Sequence, residues 1–267
     1  MLRLEGKVAL VTGGGSIRDG IGNGRAMCMR LSQEGAAVVV MDRTAEAAQE
    51  TVNAILAEGN RAAIAVGDVT VNDDCQAAVE SAIGEFGRLD VLVNNVGIAG
   101  ELTDVVDVTE EDWDHVLDVN LKSVMHMCKH AIPAMRKQGG GAIVNISSIA
   151  SFRQADRIAY PASKGAVNAM TMALAGMHAR EGIRVNCVAP GQVWTPVVAH
   201  TWAPDDLAAL AAVRERRRLA SLMKTEGTAW DIANAVLFFA CDESKWVTGQ
   251  TILVDGGLHI GRPPSTE

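Results

Sequence analysis

The chain contains a single tyrosine, Tyr160, and Lys164 follows it four positions later. On a helix this spacing puts both side chains on one face. A free phenol titrates near ~10 and is a poor base for an alcohol proton at neutral pH, so proton transfer through Tyr160 needs a neighbouring cation. Lowering the phenol by about three units takes roughly 4 kcal/mol of preference for the phenolate, which Lys164 and a second positive charge can supply in a partly dry site. Twelve residues before Tyr160, the run IVNISSI at 143–149 ends a strand-like segment in two hydroxyls, Ser147 and Ser148. One of them could orient a substrate oxygen.

A second constellation lies near the N-terminus. A strand-like run leads into Thr12-Gly13-Gly14-Gly15-Ser16, and Gly20-Ile21-Gly22-Asn23-Gly24-Arg25 opens a helix expected to run to Gly35. Strand, glycine turn and helix form a cradle for a diphosphate, because glycines admit close backbone approach and the helix start offers free N–H groups. The next strand ends at Asp42, 20 residues after Gly22. A carboxylate there accepts hydrogen bonds from both adenosine ribose hydroxyls and repels a 2′-phosphate, which favours NAD over NADP. Arg43, its neighbour, could instead attract that phosphate. Asp68-Val69 and Asn94-Asn95-Val96-Gly97 place polar groups after two further strands. An oxidised nicotinamide ring would be the second cation that Tyr160 needs. A methyltransferase shares the glycine loop and the acidic second strand, but has no use for a Tyr and Lys pair.

These residues need a scaffold that brings them to one edge. Apolar runs at 7–11, 36–41, 62–66, 89–94, 142–147, 184–188 and 251–254 alternate with longer amphipathic stretches. The pattern predicts an α/β fold, a Rossmann-like doubly wound parallel sheet of seven strands with helices on both faces. Thr44, Thr70 and Thr109 are placed to cap helices. One domain spans 1–267, with 194–224 as a substrate lid and 258–267 as a tail; Trp194, Val197, Trp202, Leu207 and Met223 suggest an apolar pocket wall. The 24 Lys and Arg against 32 Asp and Glu give a net charge of −8, which opposes nucleic acid and anionic membranes as partners. With no apolar run of bilayer-spanning length, a cytoplasmic location is expected. The five cysteines form no Cys-x-x-Cys pair and read as reduced, buried thiols. His126 and His130 lack a third ligand beside them, so no metal is expected. The run RERRR at 214–218 could grip an acidic carrier but reads more simply as a solvated helix face.

Taken together these residues resemble the short-chain dehydrogenase/reductase family, over 6–257. The motifs NNVG, LDVNLKS, NISS, YPASK, RVNCVAPGQVWTP and VTGQTILVDGG occur in the family's order. The resemblance implies that Tyr160 is the general acid/base, that Lys164 lowers its pKa and binds the nicotinamide ribose, that Ser148 polarises the substrate oxygen and that Asn120 holds a relay water. Pro190, Gly191, Val193 and Thr195 would hold the nicotinamide end, while Gly13, Ser16, Gly22, Gly24, Asp42, Asp68, Val69, Asn95 and Gly97 would line the rest of an NAD site. Two departures stand out. Either Gly20 and Gly22 or Gly22 and Gly24 could fill the last two glycine places, and the interval from Ser148 to Tyr160 is one residue shorter than the family's usual one, which Ser147 would restore. The implied activity is hydride transfer between NAD(H) and a secondary alcohol or ketone. An NADPH-dependent 3-oxoacyl-(acyl-carrier-protein) reductase is the alternative. A homo-oligomer, a tetramer, is expected, with the helix from Thr109 and the segment 229–256 as interfaces.

Overall fold

The computed structural model describes residues 2–15, 20–153, 155–196, 198 and 206–261. Ser16, Arg18, Val197, Trp202, the tail beyond 261 and the Leu207 side chain lie outside the described residues. Seven strands form one parallel sheet: β1 Val8–Thr12, β2 Ala37–Asp42, β3 Ala62–Val66, β4 Val91–Asn94, β5 Gly141–Ile146, β6 Ile183–Pro190 and β7 Thr251–Val254. Their order is β3-β2-β1-β4-β5-β6-β7. The direction of winding therefore reverses between β1 and β4, and the carboxyl ends of these strands open the crevice where such sheets take ligands.

Both faces of the sheet are covered, which is why its strands read as continuous apolar runs. On β2, Val38 and Val40 pack on one side with Leu31, Ile232 and Phe239. Val39 and Met41 pack on the other with Leu92, Met127 and Met135. The helices are α1 Asn23–Gln33, α2 Ala45–Ala57, α3 Asn72–Phe86, α4 Glu110–Leu117, α5 Ser123–Lys137, α6 Ala159–His178, α7 Leu207–Ala220 and α8 Ala229–Ala240.

Three local expectations differ from what forms. β4 opens at Val91 rather than 89: the Gln138 side chain takes the Leu89 N–H at 3.2 Å and donates to the Leu89 carbonyl at 2.7 Å, while the Asp90 N–H bonds the Val8 carbonyl at 2.9 Å just ahead of the strand. Thr70 does not cap α3; its hydroxyl donates to Asp68 at 2.7 Å and Val71 takes the cap position. The helix that begins after Thr109, whose hydroxyl does accept from the Asp112 N–H, is not one α-helix. A π-helical turn, Asp118–Lys122, joins α4 to α5, and such turns often mark functional positions.

A buried polar chain fixes α6 against the sheet. Asn94 and Asn145 are register partners on β4 and β5. Asn94 donates to Asn145 Oδ1 at 2.8 Å, and Asn145 donates to Thr171 Oγ1 on α6 at 2.9 Å. Paired polar groups in a dry core hold one geometry, since a shift leaves them unsatisfied. The helix that carries Tyr160 is positioned in this way.

Candidate active site

The glycine turn after β1 is shaped by close approach. Gly13 has φ +62°, and a Cβ on Gly24 would meet the Gly13 carbonyl oxygen. Gly24 thus lets α1 press on the turn. Gly22 is the residue before α1, with open space where a side chain would stand, no side-chain cap and no acidic residue in the helix's first turn. Among the described residues no side chain caps the first N–H groups of α1, and their partial positive charge suits a diphosphate. Of the two glycine pairings, Gly22 and Gly24 occupy the helix start, while Gly20 lies ahead of it near Pro196.

At the tip of β2, Asp42 accepts the Gly15 N–H at 3.1 Å and the Thr44 N–H at 3.2 Å. A Cβ on Gly15 would come within 2.8 Å of that carboxylate, so glycine is needed for the approach. Arg43 reaches Asp68 at 3.6 Å. Asp68 also accepts from the Thr70 N–H and hydroxyl, contacts that hold its carboxyl below the usual range against burial, which acts the other way and is the largest influence. Val69 beside it is buried. Asn95 donates to the Thr12 and Gly13 carbonyls, both at 3.0 Å, and so pins the glycine turn to the end of β4.

Gly97 leads from there to the proton-handling residues. A Cβ at this position would stand 2.9 Å from Lys164 Nζ and 3.3 Å from Asn120 Oδ1. Asn120 sits in the π-helical turn and is fully buried. It accepts the Ile98 N–H at 2.8 Å and donates to the Ile98 carbonyl and to Ser163 Oγ, each at 2.9 Å. Ser163 lies on α6 between Tyr160 and Lys164, so Asn120 ties that helix to the strand β4 loop.

Lys164 is buried and donates to the Ile146 carbonyl at 2.9 Å. Burial pushes its ammonium down to about 8 from 10.5. Its Nζ lies 6.0 Å from the centre of the Tyr160 ring. The Tyr160 phenol is itself held above its ordinary value by burial; the Ser148 hydroxyl and then the Arg157 charge pull it back. Ser147 is turned away, donating to the Lys164 backbone carbonyl at 2.9 Å. Ser148, whose Oγ accepts the Ala150 N–H at 3.1 Å, is the hydroxyl that draws the phenol towards ionisation, while Ser147 is committed to α6.

On the opposite wall, a Cβ on Gly191 would lie 2.5 Å from Asp255 Cα, and the Gly191 N–H donates to the Val254 carbonyl at 2.9 Å. Pro190 ends β6, and Val193 and Thr195 are buried. The arginines of the 214–218 run are committed within the chain. Arg214 bonds Glu226 at 2.6 Å and stacks over the Trp194 ring, Arg217 donates to the Val193 carbonyl at 3.3 Å, and Arg218 pairs with Glu215 at 2.7 Å. The run is a mostly solvated face, with Arg214, Glu215 and Arg216 exposed, from which Arg214 and Arg217 also bond neighbouring segments. Met223 is largely exposed, so of the described residues proposed for an apolar wall it does not face inward. His126 and His130 bond the Val69 carbonyl and the Asn72 side chain, and no cluster with metal-ligand character occurs among the described residues. Arg157 is invisible to sequence reasoning, since a lone arginine three residues before the tyrosine belongs to no motif.

Comparison with known proteins agrees with this arrangement. The family model described as "Enoyl-(Acyl carrier protein) reductase", of the short-chain alcohol dehydrogenase type, matches residues 15–259. The chain belongs to the short-chain dehydrogenase/reductase family. Cyclohexanol dehydrogenase of Acinetobacter sp. (strain SE19) is 37% identical over 255 residues, 95% of each chain. The 3-oxoacyl-(acyl-carrier-protein) reductase FabG of Thermotoga maritima is 39% identical over 260 residues, covering 97% of this chain and 100% of that one. Carveol dehydrogenase from Mycobacterium avium, solved in complex with NAD, superposes with a TM-score of 0.90 at 30% identity over 98% of this chain and 100% of that one. As a short-chain dehydrogenase/reductase the chain is an oxidoreductase acting on CH–OH donors with a nicotinamide nucleotide. The residues present fit that group: an uncapped helix start, a carboxylate presented at the β2 tip and glycines wherever a Cβ would close the crevice. No described helix is long and apolar enough to cross a membrane.

Proposed function

We propose that this chain interconverts a secondary alcohol and its ketone with NAD(H), using Tyr160 as the general acid/base. The observation that carries the reading is the buried Lys164, its Nζ 6.0 Å from the centre of the Tyr160 ring on the same helix, with Ser148 following the end of β5 beside them. A nicotinamide bound by these residues would supply the hydride acceptor for alcohol oxidation and the hydride donor for the reverse reaction. Gly13, Gly22 and Gly24 shape the diphosphate cradle, with Asp42, Asp68, Val69, Asn95 and Gly97 along the adenosine and ribose side and Pro190, Gly191, Val193 and Thr195 at the nicotinamide end. In alcohol oxidation Ser148 donates a hydrogen bond to the substrate oxygen, and Tyr160 takes its proton. Lys164 spends one N–H on Ile146 and presents its others toward the ribose and the phenolate. Asn120 keeps the loop after β4 at a fixed height over Lys164.

The cofactor preference follows from Asp42 and from the pairing of Arg43 with Asp68, which occupies the guanidinium that a 2′-phosphate would recruit. An acyl-carrier reductase would want a cationic face, and Arg214, Arg217 and Arg218 are already bonded within the chain. A side-by-side titration with NADH and NADPH, read by quenching of the five tryptophans, tests this. NADH binding tenfold or more tighter, about 1.4 kcal/mol, is the expected result, followed by turnover of secondary alcohols with NAD. Tighter NADPH would overturn the cofactor assignment.

A further inference from the structure

Arg157 stands three residues ahead of Tyr160, and its side chain is only 15% exposed. Its Nη1 donates to the carbonyls of Ala99 and Gly100 at 3.3 and 2.9 Å, while Nε reaches the exposed carboxylate of Asp156 at 3.3 Å. The next residue repeats the link, since the Ile158 N–H donates to the Thr103 carbonyl at 3.0 Å. The loop so held is the one that Asn120 grips at Ile98. It passes over the start of α6 between two anchors, one buried in the π-helical turn and one at Arg157. We propose that Arg157 is a positioning residue for the reaction: it latches the turn at Ala99 and Gly100 to the first turn of the Tyr160 helix and holds a permanent positive charge at that turn.

The two parts of this role are separable. A guanidinium presents several N–H donors in a fixed plane and stays charged at every pH at which a phenol titrates. The latch needs the donors, and the electrostatic effect needs only the charge. The charged groups around the phenol are Lys164 on its own helix and Arg157 ahead of it. The guanidinium pairs with Asp156, and Asp112 of α4 has its carboxylate against Gly100, whose carbonyl the guanidinium bonds, and accepts the Glu101 N–H. Asp156 is two-thirds exposed and solvent screens it, so the net field at the phenol keeps the sign of the arginine. Lys164 is pushed down to about 8, and Arg157 remains a cation above the pH at which the lysine loses its proton.

This proposal rests on Tyr160 being the acid/base, and its test is chosen to separate the two. Tyr160 is the only tyrosine, so protein made with 3-fluorotyrosine gives one 19F signal that titrates this phenol with no need of substrate. In Arg157→Gln the midpoint should rise by roughly half a pH unit or more, as for loss of a nearby cation at a partly screened site. In Arg157→Lys the charge remains and the midpoint should stay near wild type, while KM rises because one ammonium cannot span both carbonyls. The acidic limb of kcat/KM for alcohol oxidation should move with the 19F midpoint. Arg157→Met, which keeps the aliphatic stem, serves if the glutamine variant does not fold by near-ultraviolet circular dichroism. An unmoved midpoint in the neutral variants, or an equal rise in Arg157→Lys, overturns the proposal. Tyr160→Phe run alongside keeps the readings apart: full activity there sinks the acid/base assignment whatever the 19F signal does.

Discussion

At the scale of single residues, the site stores its chemistry in a buried lysine and a half-buried tyrosine held away from their ordinary charge states. Tyr160 is biased towards neutral phenol and Lys164 towards neutral amine, each mainly by burial. Tyr160→Phe removes the titrating oxygen and little else, so turnover should fall by about 10² to 10⁴ while NADH affinity stays; turnover near wild type would require another proton carrier. Lys164 makes a prediction about stability. Its folded value of about 8 lies below the ordinary 10.5, so the folded chain binds the proton more weakly than the unfolded one. The penalty is present in full below pH 8 and fades as pH rises towards 10.5, of order 3 kcal/mol across the window. In urea unfolding, wild type should therefore gain on Lys164→Met between pH 7 and 9.5. A difference independent of pH would mean that the ammonium is solvated.

At the scale of elements, the cradle depends on how closely α1 approaches the turn after β1. Gly24→Ala would drive a methyl group into the Gly13 carbonyl, and overpacking of this kind typically costs about 1 to 3 kcal/mol. Both the melting temperature and nucleotide affinity should fall, and a variant that keeps both would show that α1 can retreat freely. The strands were legible in the sequence because burial on both faces writes itself as unbroken runs of Val, Ala and Ile. β1, β2 and β4 are the plain cases; the edge runs 62–66 and 251–254 also coincide with β3 and β7, although those strands are only partly buried. What stayed hidden depended on contacts between distant segments. The start of β4 is set by Gln138, whose side chain takes both backbone groups of Leu89. Thr70 looked like a cap until Asp68 claimed its hydroxyl. The π-helical turn under Asn120 has no periodic signature, because one inserted residue changes a helical pattern too little to read. Ser147 and Ser148 are equal as residues, and only the sheet register decides which hydroxyl turns to Lys164's backbone and which to the phenol. Arg157 was silent for the same reason: its partners are carbonyls 57 and 58 positions away.

At the scale of the whole molecule, the isolated chain leaves features that nothing within it explains. On α6, Gly165 and Gly176 have open space where a Cβ would stand, yet glycine inside a helix is disfavoured by roughly 0.5 to 1 kcal/mol relative to alanine. Ala169 and Met172 continue the same stripe at helical spacing, both exposed. Trp246, after α8, is 97% exposed. A narrow stripe of small residues lets a second helix come close, and a bare indole on a chain of net charge −8 asks for cover. Both surfaces suit contact with further copies of this chain, and two distinct interfaces would give the tetramer that the family resemblance implies. Light scattering should then report an assembly larger than one chain. Ala169→Glu, which is a good helix former and harmless to a lone subunit, should lower the mass by breaking the α6 contact. Trp246→Glu should do so independently at the other surface, with Tyr160 chemistry still measurable in the smaller species. If wild type runs as a monomer at micromolar concentration, the glycines of α6 need another explanation and the two surfaces are separate from assembly.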